Sequence, residues 1–223
     1  MNKGMLIIIS GPSGSGKGTV VKRLCPRGGA GQQPQCDLNL AVSISVTTRP
    51  KRPGEVDGRD YFFCTEEEFY EKLAHDELLE SATFCGNYYG TPRSYVEEMI
   101  DAGKTVVLEI EVNGALQVKE KFPDCVLVFL MPPTMEELKN RLLHRNTEDL
   151  ETIEDRLRRA QEEITLIDKY DYLVINEQVD AAVADIRLIV QAEKLKPSRR
   201  RIWQFLFCGK PTREEALCDI NVN

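Results

Sequence analysis

The sequence is poor in the residues that build metal centres and disulfide frameworks. It has only two histidines, His75 and His144, and its seven cysteines form no C-x-x-C pair. An odd number of cysteines without that spacing matches neither a zinc-ligand set nor a disulfide framework. We therefore expect reduced thiols in a cytoplasmic protein, without a zinc site or a Cys–His nucleophile.

Long apolar stretches are also missing. No run approaches the roughly 20 apolar residues that span a bilayer, and the N-terminus lacks the order of a signal peptide. The net charge of −7 argues against general binding to nucleic acid. We expect neither a membrane nor a nucleic-acid partner. A length of 223 residues, 42% of them hydrophobic, suits one α/β domain with insertions.

The most informative motif of the sequence is a glycine-rich stretch. An apolar run precedes it and a helical pattern follows it; its residues are Gly11, Pro12, Ser13, Gly14, Ser15, Gly16, Lys17, Gly18 and Thr19. The pattern G-x-x-x-x-G-K in that setting indicates a phosphate-binding loop, where backbone N–H groups and a helix N-terminus hold the anion. Lys17 would supply a cation for the terminal phosphates. An ordinary strand–turn–helix corner is the alternative.

One position departs from the strict loop pattern. Gly18 follows Lys17, where the pattern has the Ser or Thr that holds Mg²⁺, and Thr19 comes one position late. A second metal candidate lies on the apolar strand predicted over residues 105–112. That strand would carry Glu109 and Glu111 on one face, which suggests a Walker-B-like partner for Mg²⁺. The alternative is an edge strand with one polar face.

Two further stretches are rich in arginine. The strand predicted over residues 40–46 runs into a proline-punctuated loop that carries Arg49, Lys51 and Arg52, which suits a phosphate or a carboxylate unless it is only a solvated loop. Arg141, Arg145 and Arg156, with neighbouring arginines, flank a polar break at 146–149. We interpret these helices as a mobile cap over a phosphate; ion pairs at helical spacing are the alternative.

The order of elements predicts the fold. Apolar strands alternate with helices, and residues 43–91 interrupt that alternation with short strands, a Thr65–Glu68 capping box and an aromatic turn at 86–92. This order predicts an α/β fold, a doubly wound parallel sheet with helices on both faces. Basic and aromatic residues follow Lys194; we favour packing, a dimer contact or disorder for this tail over membrane binding.

These motifs resemble guanylate kinase, which uses ATP to phosphorylate GMP. The resemblance spans about residues 4–194 and is carried by four runs: the loop at 11–17, T-T-R-P-x-R-P-G-E-x-x-G-x-x-Y at 47–61, G-N-Y-Y-G-T at 86–91 and L-E-I-E-V-x-G-A at 108–115. It implies a P-loop core (1–42, 92–138 and 158–194), an inserted GMP-binding subdomain (43–91) and a helical lid (139–157). The extension at 195–223 lies outside the resemblance.

The resemblance also implies roles for individual residues. The GMP site would comprise Ser45, Arg49, Arg52, Tyr61, Glu80, Tyr89, Thr91 and Glu111. The ATP site would comprise residues 11–19 with Asn176 near the adenine. The catalytic cations would be Lys17, Arg49, Arg141, Arg145 and Arg156. Mg²⁺ would accompany ATP, with Glu109 as a metal ligand, directly or through water.

Glu80 makes physical sense as a reader of guanine. Guanine presents N1–H and N2–H₂ donors on its pairing edge, and one carboxylate accepts both. Adenine lacks that donor pair and would leave the carboxylate unpaired. Two alternatives to a GMP kinase stay open: a guanylate-kinase-like protein-interaction domain without catalysis, and a kinase for another nucleoside monophosphate. A homo-oligomer is also possible.

Overall fold

A computed structural model describes residues 4–26, 38–143 and 150–199. The strands are β1 Met5–Ser10, β2 Leu40–Val42, β3 Val46–Thr47, β4 Phe62–Phe63, β5 Leu78–Phe84, β6 Asn87–Pro92, β7 Thr105–Glu109, β8 Val126–Met131 and β9 Tyr172–Ile175. The helices are α1 Lys17–Leu24, α2 Glu66–Ala74, α3 Arg93–Asp101, α4 Val112–Lys121, α5 Met135–Leu143, α6 Leu150–Ile164 and α7 Val179–Leu195, with a short 3₁₀ turn at Ile167–Lys169.

A five-stranded sheet forms the centre of the molecule. Its order is β2-β7-β1-β8-β9, and every pairing is parallel. All six residues of β1 are buried, as expected for a strand covered on both faces. Helices α1 and α7 cover one face, and α3 and α4 cover the other. The predicted doubly wound α/β sheet is confirmed, and the loop after β1 opens at the carboxyl edge, where such sheets bind ligands.

Strand β7 is an interior strand between β2 and β1, so the edge-strand interpretation was wrong. The strand is also shorter than predicted, because it ends at Glu109. Glu111 has extended backbone angles and is the N-cap of α4. The two carboxylates therefore do not share one strand face, although both lie at the carboxyl edge of the sheet.

A second sheet is formed almost entirely by residues 43–91, the stretch predicted to be an insert. Its order is β4-β3-β6-β5, and Val46, Phe69 and Leu78 form its small buried core. Two sequence predictions were wrong here. The single strand expected over 40–46 is two strands, β2 and β3, which belong to different sheets, and the aromatic turn expected at 86–92 is mostly strand β6. Alternating β-branched residues do not reveal a change of sheet between strands.

Helices α2 and α5 each begin with a capping threonine. The capping box of α2 is complete: Thr65 Oγ1 accepts from the backbone N–H of Glu68, and the Glu68 side chain accepts from the N–H of Thr65. Thr134 Oγ1 accepts from Glu137 N–H at the start of α5. Helices α5 and α6 share an apolar cluster of their own, formed by Leu138, Leu142, Ile153 and Ala160.

The end of the described chain is held by a buried carboxylate. Glu193, on the last turn of α7, accepts hydrogen bonds from the Tyr172 hydroxyl and from Arg199, and pairs with Lys196. The tail after residue 199 lies outside the described residues. Within the described ranges no helix is long and apolar enough to cross a bilayer.

Candidate nucleotide site

The loop between β1 and α1 has the backbone of a phosphate-binding loop. Gly14 and Gly16 have φ values of 90° and 91°, which side-chain-bearing residues rarely adopt. A β-carbon at Gly11 would lie 2.1 Å from the carbonyl oxygen of Leu130 on β8. The glycines therefore serve both the turn and the close approach of the loop to the sheet.

Lys17 begins α1 and folds back over this loop. Its Nζ donates to the carbonyl oxygens of Gly11, at 2.6 Å, and Pro12, at 3.1 Å. These contacts hold the ammonium group at the mouth of the loop. A cation beside a glycine-rich turn and a helix N-terminus creates a strongly favourable place for an anion.

Asn176 directly follows β9 and supports the phosphate-binding loop through a hydrogen bond to Ser15. It is only 2% exposed, and its Nδ2 donates to the carbonyl oxygen of Ser15 at 2.8 Å. Its backbone carbonyl accepts from Nη2 of Arg141 on α5 at 2.9 Å. One residue thus joins the loop to a predicted lid arginine. The resemblance named Asn176 for the adenine, and nothing in the sequence signalled its contact with Ser15.

We expect Asn176→Ala to destabilise the folded conformation of the loop. The change leaves the buried Ser15 carbonyl without this donor, which costs about 1–3 kcal/mol of unfolding free energy. Urea unfolding should show that loss, and the KM for ATP should rise. The exposed Asn113→Ala serves as the control. A variant with the control's stability and KM would contradict the supporting role.

Glu109 explains why a glycine follows Lys17. A β-carbon at Gly18 would lie 3.1 Å from Glu109 Oε1, so a larger residue would crowd the carboxylate. Loss of hydration raises the pKa of Glu109, and the Lys17 ammonium partly offsets that rise. A carboxyl group thus lies beside the loop, and carboxylate oxygens are among the ligands that Mg²⁺ accepts.

Arg49 lies in an aromatic and acidic setting. Its guanidinium carbon is 5.3 Å from the centre of the Tyr61 ring, a cation–π distance, and its Nη2 donates to Glu55 Oε1 at 2.7 Å. The hydrogen bond to Glu55 raises the pKa of Arg49, and the same bond lowers the pKa of Glu55. Glu55 also accepts from the backbone N–H of Arg52. Glu55 orients this loop, a role that the sequence did not reveal.

Three of the four predicted phosphate-holding residues, Arg49, Tyr61 and Tyr89, lie close together. The Tyr61 and Tyr89 rings meet edge to face with centres 6.1 Å apart, and Arg49 lies beside both. The Arg52 side chain is exposed on the loop, and Ser45 is half-buried just before β3. Two tyrosines and a guanidinium group at one place match the needs of a phosphate.

Glu80 is a buried carboxylate that already has one hydrogen-bond donor as its partner. It is 5% exposed on β5, and its Oε1 accepts from Thr91 Oγ1 on β6 at 2.7 Å. Burial raises the pKa of Glu80, the Thr91 bond opposes that rise, and the Glu111 charge adds to it. Burying a charge without full pairing is costly, so this carboxylate is prepared for additional hydrogen-bond donors.

Arg141 and Arg156, from the described part of the predicted lid, both lie near the loop. Arg156 Nη1 on α6 lies 3.5 Å from Ser13 Oγ, and Arg141 pairs with Glu137 on its own helix. Burial raises the pKa of Glu163 on α6, with Lys17 opposing the rise and Glu111 adding to it. The sequence did not single out this carboxylate. Arg145 lies outside the described residues.

Comparison with known proteins agrees with this geometry. A family model described as guanylate kinase matches residues 3–193. The chain belongs to the guanylate kinase family. The guanylate kinase of Oceanobacillus iheyensis is 51% identical over 197 residues, which are 88% of this chain and 91% of that protein. The guanylate kinase of Bacillus cereus is 52% identical, with 88% and 92% covered.

A solved member of the family has the same fold. The crystal structure of guanylate kinase from Anaplasma phagocytophilum superposes with a TM-score of 0.68 at 32% identity, and covers 95% of this chain and 98% of that one. The family match ends at residue 193, where Glu193 holds the end of α7. The tail therefore follows the part that guanylate kinases share.

Proposed function

We propose that this protein transfers the γ-phosphoryl group of ATP to GMP, giving ADP and GDP. The observation that carries the base assignment is the buried Glu80 carboxylate, which already accepts from Thr91. Its remaining lone pairs match the N1–H and N2–H₂ donors of guanine. A base without that donor pair would leave a desolvated carboxylate unpaired, which such sites penalise strongly.

On the ATP side, the loop at 11–19 would hold the phosphates through its backbone N–H groups. Lys17 would exchange its two carbonyl contacts for the terminal phosphates, so the cation already lies where charge develops. Arg141 and Arg156, both near the loop, would add positive charge as α5 and α6 close. Arg145 would join them from the segment between these helices.

On the GMP side, Arg49, Arg52, Tyr61 and Tyr89 would hold the acceptor phosphate in line with ATP. Ser45, Thr91 and Glu111 would surround the base together with Glu80. The acceptor is a phosphate oxygen that is already nucleophilic, so no general base is needed. The protein's contribution is therefore mostly alignment and cationic charge. The core, the GMP-binding subdomain (43–91) and the lid (139–157) would close around the two bound nucleotides.

Mg²⁺ would accompany ATP. Bound to the phosphates, it neutralises part of their charge. Glu109 fits this partner, because its carboxylate lies beside Gly18 at the loop and supplies a hard oxygen. Thr19 is exposed one position further along the helix. Chelation of divalent cations with EDTA should abolish ADP release, and added Mg²⁺ should restore it.

A panel of nucleoside monophosphates tests the assignment. With ATP and Mg²⁺, we expect GMP to support ADP release with a kcat/KM at least about 100-fold above that of AMP, CMP or UMP. Coupled ADP-release kinetics provides the measurement. Equal rates with AMP would contradict the role of Glu80, and no release with any monophosphate would favour a protein-interaction domain.

A further inference from the structure

Helix α4 lies along strand β5 and contacts it at three levels. Lys121 Nζ donates to the carbonyl oxygen of Leu78 at 2.9 Å, and Gln117 Oε1 accepts from the N–H of Ser81 at 3.3 Å. Gly114 faces Glu80 between these contacts along the strand. The helix therefore has a defined register against the strand that carries the buried carboxylate.

Gly114 sets the space available to that carboxylate. A β-carbon at Gly114 would lie 3.2 Å from Glu80 Oε2 and 3.7 Å from its carboxyl carbon. The other oxygen, Oε1, is held by Thr91. The carboxylate thus lies between a hydroxyl donor on one side and the bare α-carbon of Gly114 on the other.

The backbone does not require glycine at this position. Gly114 is absent from the residues with positive φ and lies inside α4, where glycine costs about 0.5–1 kcal/mol relative to alanine. Alanine would favour the helix, and the three side-chain atoms nearest to its β-carbon would belong to Glu80 and Ile110. The glycine therefore serves the space around the carboxylate and not the fold of the helix.

We propose that Gly114 is a positioning residue for guanine selection, because its missing side chain lets both Glu80 oxygens align with the N1–H and N2–H₂ donors. This inference rests on the proposed function. Two donors on two oxygens need a carboxylate aligned to within a few tenths of an ångström. A methyl group at 114 would push Oε2 away from that alignment.

The test compares GMP with IMP, whose base keeps N1–H and lacks the N2 amino group. In Gly114→Ala we expect the KM for GMP to rise about tenfold, as for one weakened hydrogen bond to a charged group. The GMP-to-IMP ratio of kcat/KM should fall by several-fold, while the KM for ATP stays unchanged. The melting temperature should stay equal or rise, because alanine favours the helix.

Two companion variants make the result decisive. Glu120→Ala, exposed on the same helix, should leave the KM for GMP and the GMP-to-IMP ratio of kcat/KM as in the wild type. In a Glu80→Gln background, Gly114→Ala should have a much smaller effect than in the wild type, because the two changes share one contact. Additive effects, an unchanged GMP-to-IMP ratio, or a Gly114→Ala variant that fails to fold would each overturn the inference. A wild-type protein inactive with GMP would instead overturn the proposed function on which it rests.

Discussion

Replacing Lys17 by alanine is expected to lower kcat at least about 10²–10³-fold, the loss typical of one charge-stabilising donor in an active site. The ammonium group lies at the mouth of the loop through Gly11 and Pro12, where the transferred phosphoryl group would develop its charge. The fold should persist, because the side chain is only half-buried and the loop keeps its glycines. Steady-state ADP release and a thermal melt measure the two properties.

The matched control is Lys169→Ala, which removes the same charge from an exposed 3₁₀ turn. We expect its kcat to equal that of the wild type. Full activity of Lys17→Ala would refute the assignment of the loop as the catalytic ATP site. Loss of both activity and cooperative melting would show that Lys17 is needed for folding, contrary to our expectation.

Replacing Glu80 by glutamine is expected to lower kcat/KM for GMP by roughly 10- to 100-fold, since hydrogen bonds to a charged group contribute about 1.5–3 kcal/mol. The amide oxygen can still accept from Thr91, but the amide N–H₂ meets the guanine donors with another donor. Preference for GMP over AMP should fall with it. Substrate panels of both proteins measure the change, and an unchanged preference would contradict the role of Glu80.

The same substitution should stabilise the unliganded protein at neutral pH. Burial raises the pKa of Glu80, so its contribution to stability is present in acid and is lost as the pH rises through the folded-state pKa. Glutamine removes that loss. The melting temperature of Glu80→Gln should therefore exceed that of the wild type at pH 7, and the difference should shrink as the pH falls.

A matched exposed carboxylate provides the control for both effects. Glu77→Gln lies three residues earlier, at an exposed position, and should change neither base preference nor the pH dependence of melting. A stability difference for Glu80→Gln that grows towards acid would show that the carboxylate is stabilised in its charged form. That outcome would contradict the reasoning from burial.

Much of the site is carried by contiguous motifs. The loop at 11–19 and the run at 47–61 each bring their characteristic residues together within about 15 positions of the sequence. Sequence alone therefore indicates the phosphate-binding turn and the Arg49 loop. The periodicity of apolar residues likewise predicts the parallel core strands and the helices on both faces. Short strands are harder to predict. Strands β2 and β3 appear as one strand because a local pattern does not say which sheet a strand joins, and β6 resembles a turn because glycine, asparagine and proline occur in it.

Local patterns in the chain predict the α/β fold, the loop glycines and Lys17, and the resemblance to the guanylate kinase family points to Glu80 as the proposed reader of guanine. Which distant groups contact these residues becomes visible only in the folded protein. Asn176 donates to the carbonyl oxygen of Ser15, which is 161 residues away in the sequence. Glu109 occupies the space beside Gly18, and Gly114 leaves room for the Glu80 carboxylate. These are contacts between separate elements, so their distances depend on how the whole sheet and its helices pack together.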